Sequence, residues 1–147
     1  MEKFALLIGV GRYPATDLPP LPAAARDIHA LDKVLRHPEM GGFAGENVIL
    51  LEDPGRQAMA EAIERLFSGR NKDDLVLLYF SGHGLKDDTG SLYLATAETR
   101  RRPNGELARA SAVTAGAVRE EMERSRARRQ IIILVQLRLS SDTTSDR

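Results

Sequence analysis

Residues 75–84 read Leu-Val-Leu-Leu-Tyr-Phe-Ser-Gly-His-Gly, an apolar run that leads directly into a histidine between two glycines. A continuous apolar run of this length is typical of a strand buried on both faces of a parallel sheet. The flanking glycines let the backbone turn sharply and let a substrate approach, while the strand fixes the direction of the ring. The segment therefore predicts a central strand that presents His83 as a general base.

Apolar runs elsewhere in the chain predict the rest of the sheet. They lie at residues 4–10, 47–51 and 130–134, with a short hairpin piece at 91–95. Ligand sites of open α/β sheets gather at the carboxyl ends of the strands, and His83 follows such an end. We therefore expect the His83 ring to be solvent-accessible, in a cleft beside the end of the buried strand 130–134.

Helical patterns separate these strands. Apolar positions at helical spacing predict an amphipathic helix over residues 22–36. Asp53 followed by Pro54 predicts the cap and first turn of a second helix, and Thr114 is predicted to cap a third. Strands that alternate with helices in this way predict an α/β layer fold with a mostly parallel sheet, joined by right-handed crossovers.

Length and composition limit the class of protein. The chain has 147 residues, of which 42% are hydrophobic, so one domain with one core is expected. Lys and Arg together number 21, as do Asp and Glu, and this balance gives no overall attraction to nucleic acid. The N-terminus lacks the features of a signal peptide, and no apolar run approaches the length of a membrane span. We therefore predict a cytoplasmic protein without a nucleic-acid or membrane partner.

Other patterns are weaker candidates for a functional site. The Gly-Val-Gly of residues 9–11 suggests dinucleotide binding, but Pro14 replaces the third glycine of that motif. Asp87 and Asp88 could bind a hard cation, yet no calcium-loop spacing surrounds them. No metal site and no cofactor are therefore predicted.

The remaining histidines and the arginine clusters have simpler explanations. His29 and His37 fall on or at the end of the first predicted helix, where exposure or ordinary packing explains them better than catalysis. Arginines at 100–102 and at 124, 126, 128 and 129 suggest a phosphate surface, but Glu120, Glu121 and Glu123 lie just before the second group and favour a solvated helix face. Aromatic residues are also missing there, which disfavours nucleic-acid binding.

Four motifs occur in an order that is more specific than any one of them alone. They are Ala5-Leu6-Leu7-Ile8-Gly9-Val10 with Tyr13-Pro14 behind it, Ala25-Arg26-Asp27, Tyr79-Phe80-Ser81-Gly82-His83-Gly84, and Leu92-Tyr93-Leu94-Ala95-Thr96. This set resembles the large-subunit half of the caspase-like cysteine peptidases, in their bacterial and metacaspase-type form, over residues 4–134. The resemblance implies a three-layer α/β fold and an endopeptidase lineage, with Arg or Lys suggested before the cleaved bond.

The resemblance also implies roles for three residues. His83 corresponds to the histidine that assists thiolate formation and protonates the leaving amine. Gly84 follows it, and its backbone amide would help to stabilise the oxyanion. Asp27 corresponds to an acid that contributes to a pocket for a basic side chain. An equally good interpretation of Asp27 is a first-turn acid that complements the helix dipole.

The chain departs from the family at the nucleophile. The sequence contains no cysteine, and the expected nucleophile falls near Gln136 or Leu137, neither of which can attack a carbonyl. Ser140 and Ser141 are nucleophilic residue types, but they lie farther along without a motif that would hold them. The chain is therefore expected to be inactive as a peptidase.

The end of the sequence differs from the family as well. We divide the chain into an incomplete large-subunit-like domain, 1–134, and a divergent tail, 135–147, which is polar towards its end and is expected to be disordered. A truncated gene or a shifted reading frame would produce this pattern. Loss of the following strands would leave strand 130–134 as an apolar sheet edge, which favours self-association.

Three functional interpretations follow. The first is a caspase-like cysteine endopeptidase domain whose partner is a peptide or protein substrate and which is itself inactive. The second is a catalytically silent module that binds a protein partner. The third, a nucleotide-binding domain, depends on the incomplete glycine motif. Substrate hydrolysis, partner capture without turnover, and nucleotide-dependent stabilisation would distinguish them.

Overall fold

The computed structural model describes residues 1–136, which form a mixed α/β fold. Their strands are β1 (Lys3–Gly9), β2 (Val48–Glu52), β3 (Leu75–Gly82), β4 (Gly84–Lys86), β5 (Leu92–Ala95), β6 (Ala112–Thr114) and β7 (Arg129–Gln136). Their α-helices are α1 (Ala23–Arg36), α2 (Arg56–Phe67) and α3 (Ala115–Arg124). Short 3-10 turns lie at Gly45–Asn47 and Arg109–Ser111.

The main sheet has four parallel strands in the order β2-β1-β3-β7. Because β3 lies between β1 and β7, the predicted central strand is confirmed. A second, antiparallel sheet follows it, in the order β4-β5-β6. The predicted hairpin piece at 91–95 is part of this second sheet, as β5.

Helices cover the two faces of the main sheet, which gives three layers. Leu77 of β3 belongs to the cluster that contains Ile28 and Leu35 of α1. Its neighbour Leu78 points the other way, into the cluster that contains Met59 of α2 and Val118 of α3. The predicted three-layer fold with a mostly parallel sheet is therefore confirmed.

The start of α2 differs from the prediction. Asp53 does not cap this helix, because Gly55 holds the cap position and the Asp53 carboxylate turns towards the end of β1. There its Oδ1 accepts hydrogen bonds from the backbone amides of Gly11, at 2.8 Å, and Arg12, at 3.0 Å. Glu98 replaces it at the helix, since its Oε1 accepts from the backbone amide of Arg56 at 2.9 Å. Thr114 caps α3 as predicted, by accepting from the amide of Ala117.

The last described strand confirms one expectation and contradicts another. The apolar run predicted a buried strand, but β7 lies at the edge of the described sheet, as the resemblance implied, and its exposed fractions are 46% at Ile131, 40% at Ile133 and 41% at Leu134. An apolar run indicates a covered strand only when a further layer or strand is available to cover it. The strand also continues through Gln136, two residues beyond the predicted domain end. The rest of the predicted tail, with Ser140 and Ser141, lies outside the described residues.

In the part of the chain that the structure describes, no helix combines the length and the apolar character needed to cross a membrane.

Candidate active site

His83 lies at the carboxyl end of β3, between β3 and β4, and hydrogen bonds hold its backbone on both sides. Its amide donates to the hydroxyl of Tyr13 at 3.0 Å. Its carbonyl accepts from the amide of Ala95 in β5 at 3.0 Å. The backbone of His83 is therefore fixed between the connection that follows β1 and the second sheet.

The imidazole is held by a backbone carbonyl. The Nε2 atom of His83 lies 2.9 Å from the carbonyl oxygen of Pro19. Because a carbonyl can only accept, Nε2 must carry the proton, and the lone pair of the neutral ring is on Nδ1. A base that is oriented by a third group in this way is the arrangement that nucleophilic catalysis requires.

The expectation that the His83 ring is solvent-accessible is wrong. The residue is only 7% exposed, because the connection between β1 and α1 covers it with Pro19 and Tyr13. The Tyr13 and His83 ring centroids lie 4.9 Å apart, with the ring planes inclined at 59°. The ring lies among protein atoms, in a setting where hydrogen bonds are stronger than in water.

The end of β7 lies beside Gly84, as expected from the sequence. Gln136 pairs in register with Gly82, and its side-chain Nε2 donates to the carbonyl of Gly84 at 3.1 Å. A side chain at position 84 would begin 3.3 Å from Leu92 and 3.4 Å from the Gln136 amide. The fold therefore brings Gln136, one of the two positions at which the nucleophile was expected, close to the Gly82-His83-Gly84 turn. The other position, Leu137, lies outside the described residues.

Asp27 is the fifth residue of α1, and its side chain lies near the carboxyl end of β3. The hydroxyl of the buried Ser81 donates to its Oδ2 at a long 3.5 Å. Burial raises the pKa of Tyr79, and the negative charge of Asp27 raises it further. Asp27 lies outside the first turn of α1, which contains no acidic residue. The helix-dipole interpretation of Asp27 is therefore not supported.

Tyr13 and Pro19 were not among the residues predicted for the site. Tyr13 entered the sequence prediction only as part of a motif, and Pro19 did not enter it. Their position in a loop at the carboxyl end of β1 was an available signal, since such loops carry the ligands of open α/β sheets. Their contact with His83 could not be inferred, because at least 64 residues separate them from it.

The other candidate sites have structural explanations. The Asp53 carboxylate accepts hydrogen bonds from the amides of Gly11 and Arg12, where the dinucleotide interpretation would place a phosphate.

The candidate cation and histidine sites are explained by local contacts. Asp87 accepts from the hydroxyl and amide of Thr89 and from the amide of Ser91, and these hydrogen bonds lower its pKa. His29 bonds to Glu52 on the surface. Within residues 1–136, no three His, Asp or Glu side chains are grouped to hold a metal ion.

Comparison with known proteins gives a match that extends over most of the chain. A family model described as the caspase domain matches residues 2–137, which is nearly the whole chain. None of the curated proteins matches the sequence. The match covers all four motifs, β3 with His83, and all of β7, and it therefore includes both positions at which the nucleophile was expected, Gln136 and Leu137. The chain therefore belongs to the caspase domain family, a family of peptidase-type domains.

Proposed function

We propose that this chain is a domain of cysteine endopeptidase lineage that retains the general base of the site but does not itself hydrolyse peptides. The observation that carries the proposal is the hydrogen bond from His83 Nε2 to the Pro19 carbonyl. It leaves the Nδ1 lone pair for proton transfer. In a complete site Nδ1 would take the proton of a thiol as sulfur bonds to the peptide carbonyl carbon, and would then protonate the leaving amine.

Gly84 is proposed as the oxyanion donor of the same site. Its position directly after His83 supports this role, since an amide there lies close to any carbonyl that the base can serve. The carbonyl of Gly84 is engaged by the Gln136 side chain. Neither Gln136 nor Leu137 has a group that can form a covalent intermediate, and the sequence contains no cysteine, so the cysteine route is absent.

A peptidase assay tests the proposed inactivity. We expect no turnover of peptides with Arg or Lys before the cleaved bond, with or without calcium. Turnover that disappears in His83→Ala but resists cysteine-directed inhibitors would contradict the proposal, because it would identify a serine or water nucleophile.

An introduced cysteine tests the base directly. Because the chain contains no cysteine, Gln136→Cys or Leu137→Cys would carry the only thiol of the protein. We expect at least one of these thiols to have a pKa below about 7.5, against about 8.5 for an ordinary cysteine, as measured by the pH dependence of alkylation.

Two controls sharpen this measurement. Adding His83→Ala should return the thiol pKa to the ordinary range, while Ile133→Cys, on an exposed part of β7, should be ordinary from the start. If His83→Ala leaves both thiols unchanged, the proposed role of His83 is wrong.

Asp27 is proposed to contact a basic side chain of the bound peptide. Its long contact with Ser81 leaves most of its hydrogen-bonding capacity for a ligand. Asp27→Asn should weaken the binding of an arginine-containing peptide about tenfold or more, because hydrogen bonds to charged groups are strong. Asp32→Asn on the same helix, where Asp32 pairs with Arg36, is the matched control. Equal affinities of the two variants would refute the assignment.

A second candidate function is a catalytically silent module that binds a protein partner. The exposed Ile131 and Ile133 of β7 favour it, because contiguous exposed apolar side chains mark interaction surfaces. Partner capture without turnover, lost in Ile133→Lys but kept in His83→Ala, would support this function over the first.

A further inference from the structure

The hydroxyl of Tyr13 joins the end of β1 to the backbone of His83. It donates to the carbonyl of Val10 at 2.7 Å and accepts from the amide of His83 at 3.0 Å. Tyr13 is 5% exposed, and burial raises its pKa to about 12. The hydroxyl therefore stays protonated and keeps both hydrogen bonds throughout the neutral pH range.

Gly82 provides the space for this hydroxyl. A Cβ atom at position 82 would lie 3.0 Å from the Tyr13 oxygen, 2.9 Å from the Phe80 ring and 3.2 Å from the Val10 carbonyl oxygen. A side chain here would displace the hydroxyl or push β3 away from β1. The first glycine of the Gly-His-Gly motif is therefore explained by the close approach of Phe80, Tyr13 and the Val10 carbonyl, without any substrate.

The ring of Tyr13 meets the imidazole as well. It packs against the His83 ring, and the same connection supplies the Pro19 carbonyl that accepts from Nε2. The segment 13–19 therefore holds the His83 backbone, one side of its ring and one of its ring nitrogens.

We propose that Tyr13 is a positioning residue for His83, which keeps the imidazole turned so that Nε2 meets Pro19 and Nδ1 is left for proton transfer. The importance of this orientation rests on the proposed function of His83 as a base. A buried tyrosine with a merely structural role would stabilise the fold without controlling the state of the imidazole.

Tyr13→Phe tests the inference, because it removes the hydroxyl and keeps the ring. Tyr93→Phe is the matched control, since Tyr93 is also buried, at 6% exposure, and its hydroxyl also makes a hydrogen bond, to Asp87 at 3.2 Å. The readout is nitrogen-15 NMR of the imidazoles, which reports the tautomer and the exchange of the Nε2 proton. The chain has three histidines, so His83→Ala assigns the signal.

The wild type and Tyr93→Phe should show a single Nε2–H tautomer with a slowly exchanging proton. In Tyr13→Phe this proton should exchange about tenfold faster, because the loss of one hydrogen bond is worth about that factor. The Nδ1–H tautomer should also appear. Unchanged signals in a folded Tyr13→Phe variant would overturn the inference.

A second variant keeps the test decisive if Tyr13→Phe does not fold. Gly82→Ala retains the tyrosine but crowds its hydroxyl, and it should produce the same change in exchange and tautomer. An unperturbed His83 signal in folded Gly82→Ala would equally refute the inference. The NMR signals report on the His83 imidazole itself and do not depend on a nucleophile. Failure of the introduced-cysteine test would therefore refute the proposed function, whereas the NMR test alone decides the role of Tyr13.

Discussion

At the scale of single residues, Asp74 joins the starts of two neighbouring strands. One carboxylate oxygen accepts from the amide of Glu2 at 3.0 Å, and the other accepts from the amide of Asn71 at 2.7 Å. The amide of Leu75 in turn donates to the carbonyl of Glu2 at 2.9 Å. The ends of β1 and β3 that lie opposite His83 are therefore held together through one acidic side chain.

Asp74 gives a pH-dependent prediction. Its hydrogen bonds from Asn71 and Glu2 lower its pKa in the folded protein. A carboxyl group whose folded pKa is lowered stabilises the fold above its unfolded pKa, about 3.9, and this contribution is lost as the pH falls through the folded pKa. We therefore expect Asp74→Asn to be clearly less stable than the wild type at pH 7.

Urea unfolding at a series of pH values measures this effect. The difference between the wild type and Asp74→Asn should shrink steadily as the pH falls below about 4. The neighbouring Asp73→Asn is the control, because the Asp73 side chain is largely exposed and its carboxylate contacts the N-terminal amine at a long 3.6 Å. A stability difference for Asp74→Asn that stays constant down to pH 2 would contradict the argument.

The sequence predicted the placement of His83 but not its surroundings. The apolar run into Gly82 is a local pattern, and local patterns specify where a strand ends. The hydroxyl of Tyr13 and the carbonyl of Pro19 reach His83 across more than 60 residues of chain. Nothing in the local sequence signals such contacts, so the ring was predicted to be exposed although the fold buries it.

At the scale of elements, the beginning of α2 shows how a distant residue can replace a local cap. Asp53 adopts a left-handed conformation, with φ of 49°, and its carboxylate binds the amides after β1. This conformation is unfavourable for a residue other than glycine, and the two hydrogen bonds offset its cost. The Asp-Pro pattern is a typical local signal for a helix cap, but the hydrogen bonds of Asp53 to the amides of Gly11 and Arg12 outweigh it.

Glu98 should therefore carry the capping energy of α2. We expect Glu98→Ala to destabilise the protein by about 1 kcal/mol, the usual effect of losing an N-cap. Glu39→Ala, an exposed acidic residue after α1, should change stability by less than about 0.5 kcal/mol. Urea denaturation of both variants measures the difference, and equal stabilities would show that Gly55 alone suffices at the cap.

The strand β7 shows what an apolar pattern leaves open. Residues 130–134 read as a buried strand, and the strand is present, in register with β3 from Arg129 to Gln136. The apolar pattern alone could not predict that β7 lies at the edge of the described sheet, because the same residues suit a central strand. The expectation of an edge came from the resemblance to the family. Position within a sheet depends on the partners, and these lie elsewhere in the chain.

At the scale of the whole molecule, the layer arrangement followed from the alternation of strands and helices. The strand order β2-β1-β3-β7 could not be predicted from this alternation, because several orders satisfy right-handed crossovers equally well. In the observed order the carboxyl ends of β1, β3 and β7 are neighbours. This order brings Tyr13, His83 and Gln136 to one edge, and it is therefore the feature of the fold that creates the site.

The exposed edge gives a prediction for the molecule in solution. We propose that two copies of this chain associate through β7, whose backbone groups can pair and whose Ile131 and Ile133 are almost half exposed. Antiparallel pairing about a two-fold axis through the middle of β7 would place Arg129 of each copy opposite Gln136 of the other, so the two arginines would stay far apart. Burial of the isoleucines adds about 25 cal/mol for each Å² removed from water.

Size-exclusion chromatography with light scattering tests this association. The wild type should form dimers or larger species at micromolar concentration, and Ile133→Lys should be monomeric, because a charge on an edge strand opposes pairing. Ile49→Lys is the matched control: Ile49 is 50% exposed on β2, the opposite edge of the sheet, and its replacement should leave association unchanged. A wild type that remains monomeric over a broad concentration range would mean that the β7 edge is covered within the chain. Association lost only in Ile49→Lys would instead place the interface at β2.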